Sequence, residues 1–404
     1  MHILLIHQAF VAIDEPGGTR HHELARYLAR RGHRVTVIAS TVSYLTGKAE
    51  AGKVVNEGED GGGSVSVLRA RTYSALHRSF VHRVFSFFSF MASSFLIGLK
   101  VDQVDLVWGT SPPIFQGVTA WLLARLKRVP FLFEVRDLWP AFAIQVGVLR
   151  NPLLIRLSLW LERFLYRRAE RVMVNSPGFI EHVRERGARR VELVPNGVEV
   201  QMFDPHASGI AFRQEHGLEG RFVALYAGAH GLSNDLGILL QAAQRLADRP
   251  EISIVLLGDG KEKPVLMAQA AELGLTNLHF LPPVPKAGMA QALAATDACI
   301  AILKPIPLYG TVYPNKVFDY MAAGRPVILA IDGVIRQVVE NAQGGLFTPP
   351  GDADAMAQTI LLLAGDPQRR REMGLNARSY VEAHFDRAVL ARHLAEICEQ
   401  MGGE

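Results

Sequence analysis

Asn315, Lys316 and Asp319 are the residues best spaced to do chemistry together. They follow the loop Pro305-Ile-Pro-Leu-Tyr-Gly-Thr-Val-Tyr-Pro314 and open a segment that closes at Gly324. Proline near the first turn and glycine just past the end predict a helix from about Asn315 to Gly324. Spacings of three and four residues put Asp319 on one face with Lys316 and Asn315. The helix start offers free N–H groups, a partial positive charge and a lysine, which together suit a phosphate or diphosphate. Asp319, one turn on, is placed to accept hydrogen bonds from a ribose. A surface helix with a Lys316–Asp319 ion pair meets the same spacing, and on spacing alone it is the commoner outcome.

Two further clusters have chemical potential. Asp14-Glu-Pro-Gly-Gly-Thr-Arg20 follows a first apolar run and precedes a helix through about Arg31. Its glycines allow backbone to approach a ligand closely, although an ordinary Gly-rich connection reads the same way. There is no G-x-G-x-x-G, so dinucleotide binding is poorly supported. Glu134-Val-Arg-Asp-Leu-Trp139 ends another apolar run, where α/β sheets place functional residues. Arg136 stays protonated and can clamp a hydroxyl or phosphate but cannot act as a base. Asp137 can deprotonate or position a hydroxyl. A structural Arg136–Asp137 or Glu134–Arg136 arrangement remains open. His21 and His22 are expected to face solvent or cap the first helix. No cluster of His, Cys and carboxylates has metal-ligand spacing, and G-x-S-x-G is absent.

The elements that must position these groups alternate between short apolar runs and helical segments. Strands are predicted at Ile3–Ile6, Val35–Ala39, Val65–Leu68, Leu106–Trp108, Phe131–Val135, Val172–Val174 and Val191–Val194. The pattern repeats at Phe222–Ala227, Ile252–Leu257, Leu278–Phe280, Ala298–Leu303 and Val327–Ala330. Helices are predicted between them, for example Gly237–Leu246 and Lys261–Leu273. The expectation is an α/β protein of two doubly wound Rossmann-like domains facing a cleft, with the site at the strand C-terminal ends. The domains are assigned to residues 1–200 and 205–385, and 404 residues are enough for both cores. Residues 48–63 are polar and Gly-rich and read as a mobile loop.

Charge is unevenly shared. Residues 1–200 hold 26 Lys and Arg against 17 Asp and Glu, a net +9; the remainder hold 17 against 22, a net −5. A basic first half suggests an anionic partner there, whether nucleic acid, an acidic membrane surface or a lipid diphosphate. Residues 77–99 combine Arg78 and Arg83 with a run rich in phenylalanine, including Phe85 and Phe88. The run is short for a membrane span and suits either a helix in a membrane interface or a buried core helix. Leu153–Arg168, with Trp160 and Phe164 among arginines, is a second such segment. Cys299 and Cys398 fit no metal spacing and read as buried thiols of a cytoplasmic protein. The first residues are too short an apolar run for a signal peptide and read as a strand.

The 305–326 segment resembles the C-domain signature of the retaining nucleotide-sugar glycosyltransferases of family 4, which have the GT-B fold. Glu134–Pro140, Val194-Pro-Asn-Gly-Val198, Leu257-Gly-Asp-Gly260 and Phe280-Leu-Pro-Pro283 extend the resemblance over nearly the whole chain. It is similar to the bacterial surface-polysaccharide branch, the WbuB-type transferases. The resemblance implies transfer of a sugar, UDP-linked, to a polyprenyl-diphosphate-linked glycan in lipopolysaccharide, O-antigen or capsule synthesis. It implies the inner face of the cell membrane rather than nucleic acid as the anionic partner. It implies no cofactor and no obligatory metal.

By the same resemblance Gly17, Gly18, His230, Tyr309, Gly310, Thr311, Val312, Asn315, Lys316 and Asp319 bind the donor, with Val284 and Lys286 against the nucleobase. Arg136, Asp137 and Lys316 carry catalysis. Thr19, Arg78, Arg83, Phe85 and Phe88 face the acceptor or membrane. The helix at about 387–401 is expected to pack on the first domain. The chain departs from the family where Thr311 replaces a glutamate and where Ala229 and Asn234 replace an Arg/Lys diphosphate clamp. Those departures keep a non-catalytic sugar-nucleotide-binding partner as an alternative, and a nucleotide-sugar epimerase of the same fold, which needs no acceptor, is another.

Overall fold

The computed structural model describes all residues except 11–18, 42–54, 59–61, 74–79 and 404, with the backbone alone described at 55–58, 80, 81, 83 and 84. The chain divides into two compact units, Met1–Pro195 with Ala388–Glu404, and Asn196–Arg387. The division therefore falls at 195/196 rather than at 200, and the second unit runs two residues past 385.

The first unit is built on β1 (His2–Ile6), β2 (Arg34–Ser40), β3 (Val55–Gly58), β4 (Ser64–Ala70), β5 (Leu106–Ser111), β6 (Phe131–Val135), β7 (Arg171–Val174) and β8 (Val191–Leu193). Their order is β3-β4-β2-β1-β5-β6-β7-β8, and every pairing is parallel except β3 with β4. β1, β5 and β6 are buried throughout, as unbroken apolar strands require when helices cover both sheet faces. β3 lies inside the segment read as a loop. Its Val-Asn-Glu-Gly sequence has no apolar alternation, and it is held by edge pairing to β4.

One sheet face is covered by the helix Arg20–Arg30 and the C-terminal helix Arg387–Gly403. Leu24 and Leu28 join Leu390, Leu394 and Cys398 in a core with Ile3, Val35 and Trp108. The other three long helices of this unit, Phe80–Leu99, Phe115–Lys127 and Pro152–Arg168, lie side by side. Gly98 abuts Leu123, and Trp121 packs edge-on to Phe164 at 4.8 Å.

The second unit contains β9 (Phe222–Ala227), β10 (Ile252–Leu257), β11 (Leu278–Leu281), β12 (Ala298–Ile302), β13 (Val327–Ala330) and β14 (Gly345–Phe347), in the all-parallel order β11-β10-β9-β12-β13-β14. β14, a three-residue Gly-Leu-Phe strand, was not among the predicted ones. Cys299 is buried between this sheet and the helix Asn315–Ala322, and both cysteines are free.

Candidate active-site residues

In the second unit the site grows from the C-terminal ends of β9 and β10. Gly228 (φ +143°) and Gly258 (φ +145°) follow those strands, and a Cβ at Gly258 would lie 1.9 Å from the Gly228 carbonyl oxygen. Only glycine permits that approach at those angles. Tyr226 donates its hydroxyl proton to the Ala229 carbonyl (2.7 Å), and Lys263 donates to the Gly258 and Leu281 carbonyls (2.7 and 3.0 Å). These bonds hold both loops in place.

The helix Asn315–Ala322 is pinned to the same strand end. The Ala227 N–H donates to the Tyr320 hydroxyl at 2.9 Å, and that hydroxyl donates to the Ala227 carbonyl at 3.2 Å. Pro314 precedes the helix, and no side chain caps its first N–H groups. Lys316 is thereby set beside Gly228, with Nζ 3.8 Å from the centroid of the Tyr226 ring. This ammonium is buried and has no hydrogen-bond partner among the described residues. Burial pulls its pKa down to about 7. His230 is also buried, and neither ring nitrogen has a hydrogen-bond partner among the described residues. Burial and then Lys263 lower its pKa to about 4, against the pull of Asp259.

The Lys316–Asp319 ion pair allowed by spacing does not form. Lys286 instead donates to both Asp319 carboxylate oxygens, at 2.6 and 2.7 Å. The fold supplies this partner from 33 residues away, while Lys316 turns toward Tyr226. Val284, two residues before Lys286, packs partly buried on the core. Tyr309 is buried and donates to Ser233 Oγ at 2.6 Å, which ties the 3-10 turn Pro307–Thr311 to the loop after β9. Gly310 lies against Gly333, and the Thr311 hydroxyl donates to the Leu308 carbonyl (2.6 Å), with Val312 closing the turn.

The first unit holds a buried polar cluster. Glu134, at the end of β6, accepts from Arg20 Nε at 3.1 Å and from His21 Nε2 at 2.6 Å. Arg20 also donates to the Val194 and Pro195 carbonyls, both at 2.7 Å. His21 and His22 are therefore not solvent-facing: both are buried. Burial would raise the Glu134 pKa, but His21 and Arg20 outweigh it and hold the carboxylate ionised, below its ordinary range. Burial takes His21 down to about 4, so the ring is neutral and donates one proton to Glu134. Its Nδ1 has no hydrogen-bond partner among the described residues, and its ring lies 4.0 Å from that of His7. His7 Nδ1 in turn bonds Thr110 Oγ1 at 2.9 Å.

Arg136 does not pair with Glu134. Its Nε and Nη2 donate to the Ser111 and Pro112 carbonyls, at 2.9 and 3.0 Å. Burial pushes Asp137 up to about 6, with Arg136 and the Trp139 N–H opposing, and its buried Oδ1 has no hydrogen-bond partner among the described residues. Thr19 is buried and donates to Glu23 Oε1. Gly17, Gly18 and Arg78 lie outside the described residues, as does the Arg83 side chain. Phe85 and Phe88 are exposed on the helix Phe80–Leu99, while Phe90 on its other side is fully buried. That helix is both a core helix and an exposed apolar face.

His7, Arg20, Tyr226, Lys263 and Tyr320 escaped the sequence reading. Only Tyr226 had a signal, a hydroxyl inside the otherwise apolar run Phe222–Ala227. Among the described residues, no three His, Cys, Asp or Glu side chains form a metal-binding group. No helix among them is long and apolar enough to cross a membrane.

Two doubly wound units, parallel but for the β3 edge strand and each with polar residues gathered at strand C-terminal ends, define the GT-B class of fold. Residues 17–197 match the glycosyl transferase 4-like domain and residues 221–366 the glycosyl transferases group 1 domain. The chain is similar to the putative colanic acid biosynthesis glycosyl transferase WcaI of Escherichia coli K12, 24% identical over 92% of this chain and 93% of that one. In fold it is similar to sucrose-phosphate synthase from Thermosynechococcus elongatus (TM-score 0.80, 20% identity, 99% and 98% of the two chains covered). It is also similar in fold to Alr3699/HepE of Anabaena in complex with UDP-glucose (TM-score 0.74, 19% identity, 99% and 100% covered). The chain belongs to the family 4 glycosyltransferases of GT-B fold, and it is an enzyme of glycan biosynthesis.

Proposed function

We propose that this enzyme moves a hexose from a UDP-linked sugar to a glycan carried on a polyprenyl diphosphate, with retention of anomeric configuration, for a bacterial surface polysaccharide. The observation that supports this most is Lys316: a buried ammonium with no hydrogen-bond partner among the described residues, beside Gly228 and at the start of a helix with no side-chain cap. A diphosphate supplies the charge that this arrangement lacks. In this reading Lys316 and the helix N–H groups stabilise charge developing on the departing nucleoside diphosphate. The acceptor hydroxyl attacks the face from which UDP leaves, and the leaving phosphate takes its proton. Asp319 orients the ribose, and Asp137 with Arg136 positions the acceptor. The chemistry needs no metal, because cationic side chains and helix N–H groups neutralise the leaving group. The enzyme works attached to the inner face of the cell membrane, where such an acceptor is found.

The test has two stages. Thermal unfolding is followed with UDP, GDP, ADP and their sugars; binding raises apparent stability by mass action. Selective stabilisation by UDP and one UDP-sugar is expected, and selective GDP or ADP stabilisation overturns the donor assignment. Transfer to a polyprenyl-diphosphate glycan is then assayed with EDTA present, for the protein and its Lys316→Ala and Asp319→Ala variants. Full activity in both variants overturns the site. Loss of activity in EDTA, restored by a divalent cation, overturns the metal-free chemistry. Conversion of the sugar nucleotide without acceptor assigns an epimerase instead.

A further inference from the structure

The outer side of the helix Pro152–Arg168 opens into a cavity of about 810 Å³, lined by Arg156, Arg163, Arg167, Arg168 and Arg189 together with Trp160. Among the described residues no carboxylate lines it. Among the described residues none of the five guanidiniums makes a hydrogen bond or ion pair; Arg168 alone has a partner, the Phe164 ring, at 5.5 Å. The only acidic residue of this helix, Glu162, is buried and already holds His182 (2.7 Å) and Arg186 (3.0 Å). Five unneutralised cations around one concavity make an anion-seeking site.

Apolar exposure beside it identifies the kind of anion. Leu153, Leu154, Leu157 and Trp160 stand out from the same helix. Leu122 and Leu126 stand out from the neighbouring Phe115–Lys127 helix, and Phe85, Phe88, Leu96 and Leu99 from Phe80–Leu99. These three packed helices thus carry 10 of the 20 exposed large hydrophobic side chains among the described residues, a concentration that a water-facing surface does not need. Nucleic acid would use the arginines but not the leucines. A second copy on a twofold axis would set the five arginines against the same five. A bilayer satisfies both sets at once: phosphate headgroups for the arginines and the acyl boundary for the leucines and Trp160.

We propose that this cavity is a headgroup-binding site for anionic phospholipid, and that the Phe80–Leu99, Phe115–Lys127 and Pro152–Arg168 helices form the face that lies on the membrane. Its use in the cell rests on the lipid-carried acceptor proposed above, but binding is measured without donor or acceptor, so either reading can fail alone.

Purified protein is floated with phosphatidylcholine vesicles with and without phosphatidylglycerol, while tryptophan emission is recorded. Binding to the anionic vesicles alone, weakened by salt, is expected, with a blue shift that disappears in Trp160→Phe. The Arg163→Glu/Arg167→Glu double variant is expected to bind about tenfold more weakly or worse, while keeping its thermal transition and its stabilisation by nucleotide. Equal binding by that folded variant overturns the site, as does equal flotation with neutral vesicles. Release from vesicles by inorganic diphosphate at concentrations too low for general screening assigns a soluble anion instead. Binding to RNA in preference to vesicles, or a dimer in solution dissolved by the double substitution, assigns the surface to that partner.

Discussion

Lys316 Nζ lies 3.8 Å from the centre of the Tyr226 ring and donates no hydrogen bond to any described residue. The aromatic face compensates part of the cost of burying an ammonium, but it is a weaker partner than a carboxylate. The pKa of about 7 records the remaining cost. The ammonium is thus buried at the expense of the free protein's stability.

Lys316→Met separates the two consequences. Replacing an unpaired buried cation by an apolar side chain of similar length is expected to raise the free protein's unfolding free energy by about 1–3 kcal/mol. In the proposed reaction Lys316 stabilises the leaving group, so kcat is expected to fall about 10²–10³-fold in this variant. Urea unfolding and steady-state transfer rates measure the pair. A less stable variant with unimpaired turnover contradicts both parts.

Donor binding is expected to take up a proton. In the free protein Lys316 loses its charge as pH rises through about 7. A bound diphosphate favours the charged form and raises that value. Nucleotide-sugar affinity should therefore be insensitive to this group below pH 7 and fall from pH 7 to 9, by up to about tenfold per unit. Titration calorimetry in buffers of different ionisation heat reads the uptake directly at pH 8. Lys316→Arg stays protonated throughout and should abolish it. Uptake that persists in this variant assigns the proton to another group.

The Arg20–His21–Glu134 cluster sets an acid limit on the first unit. The His21 value of about 4 lies below the ordinary 6.5, so the folded state resists protonation. Its contribution is fully present above pH 6.5 and is lost as pH falls toward 4, about 3 kcal/mol in all. Glu134 is also depressed, and its contribution is lost at lower pH still. Urea midpoints at pH 7.5, 6 and 5 follow the decline, and His21→Gln should flatten it. Glu134→Gln leaves the Arg20 charge buried and should cost about 3–5 kcal/mol at pH 7.5.

The strands were legible because parallel strands covered on both faces are nearly continuous apolar runs, as in His2–Ile6 and Ile252–Leu257. β3 was not, because an edge strand paired on one side can be made of Val-Asn-Glu-Gly. His21 and His22 were misread because two polar residues at the start of a helix usually face water. The sequence says nothing of the Glu134 that awaits His21 across 113 residues.

Residue types and spacing alone determined the alternation of strand and helix, the division into two units, and the placing of Asn315, Lys316 and Asp319 in one helix. These are local matters: periodicity, proline and glycine punctuation, and turn spacing act within a few residues. Tertiary structure alone decided which partner each charge takes. Asp319 went to Lys286, Glu134 to Arg20 and His21, and Lys316 to an aromatic face beside Gly228. Parallel crossovers make that choice, because they bring strand ends from distant parts of the chain into register. A buried charge takes whatever neighbour the register supplies.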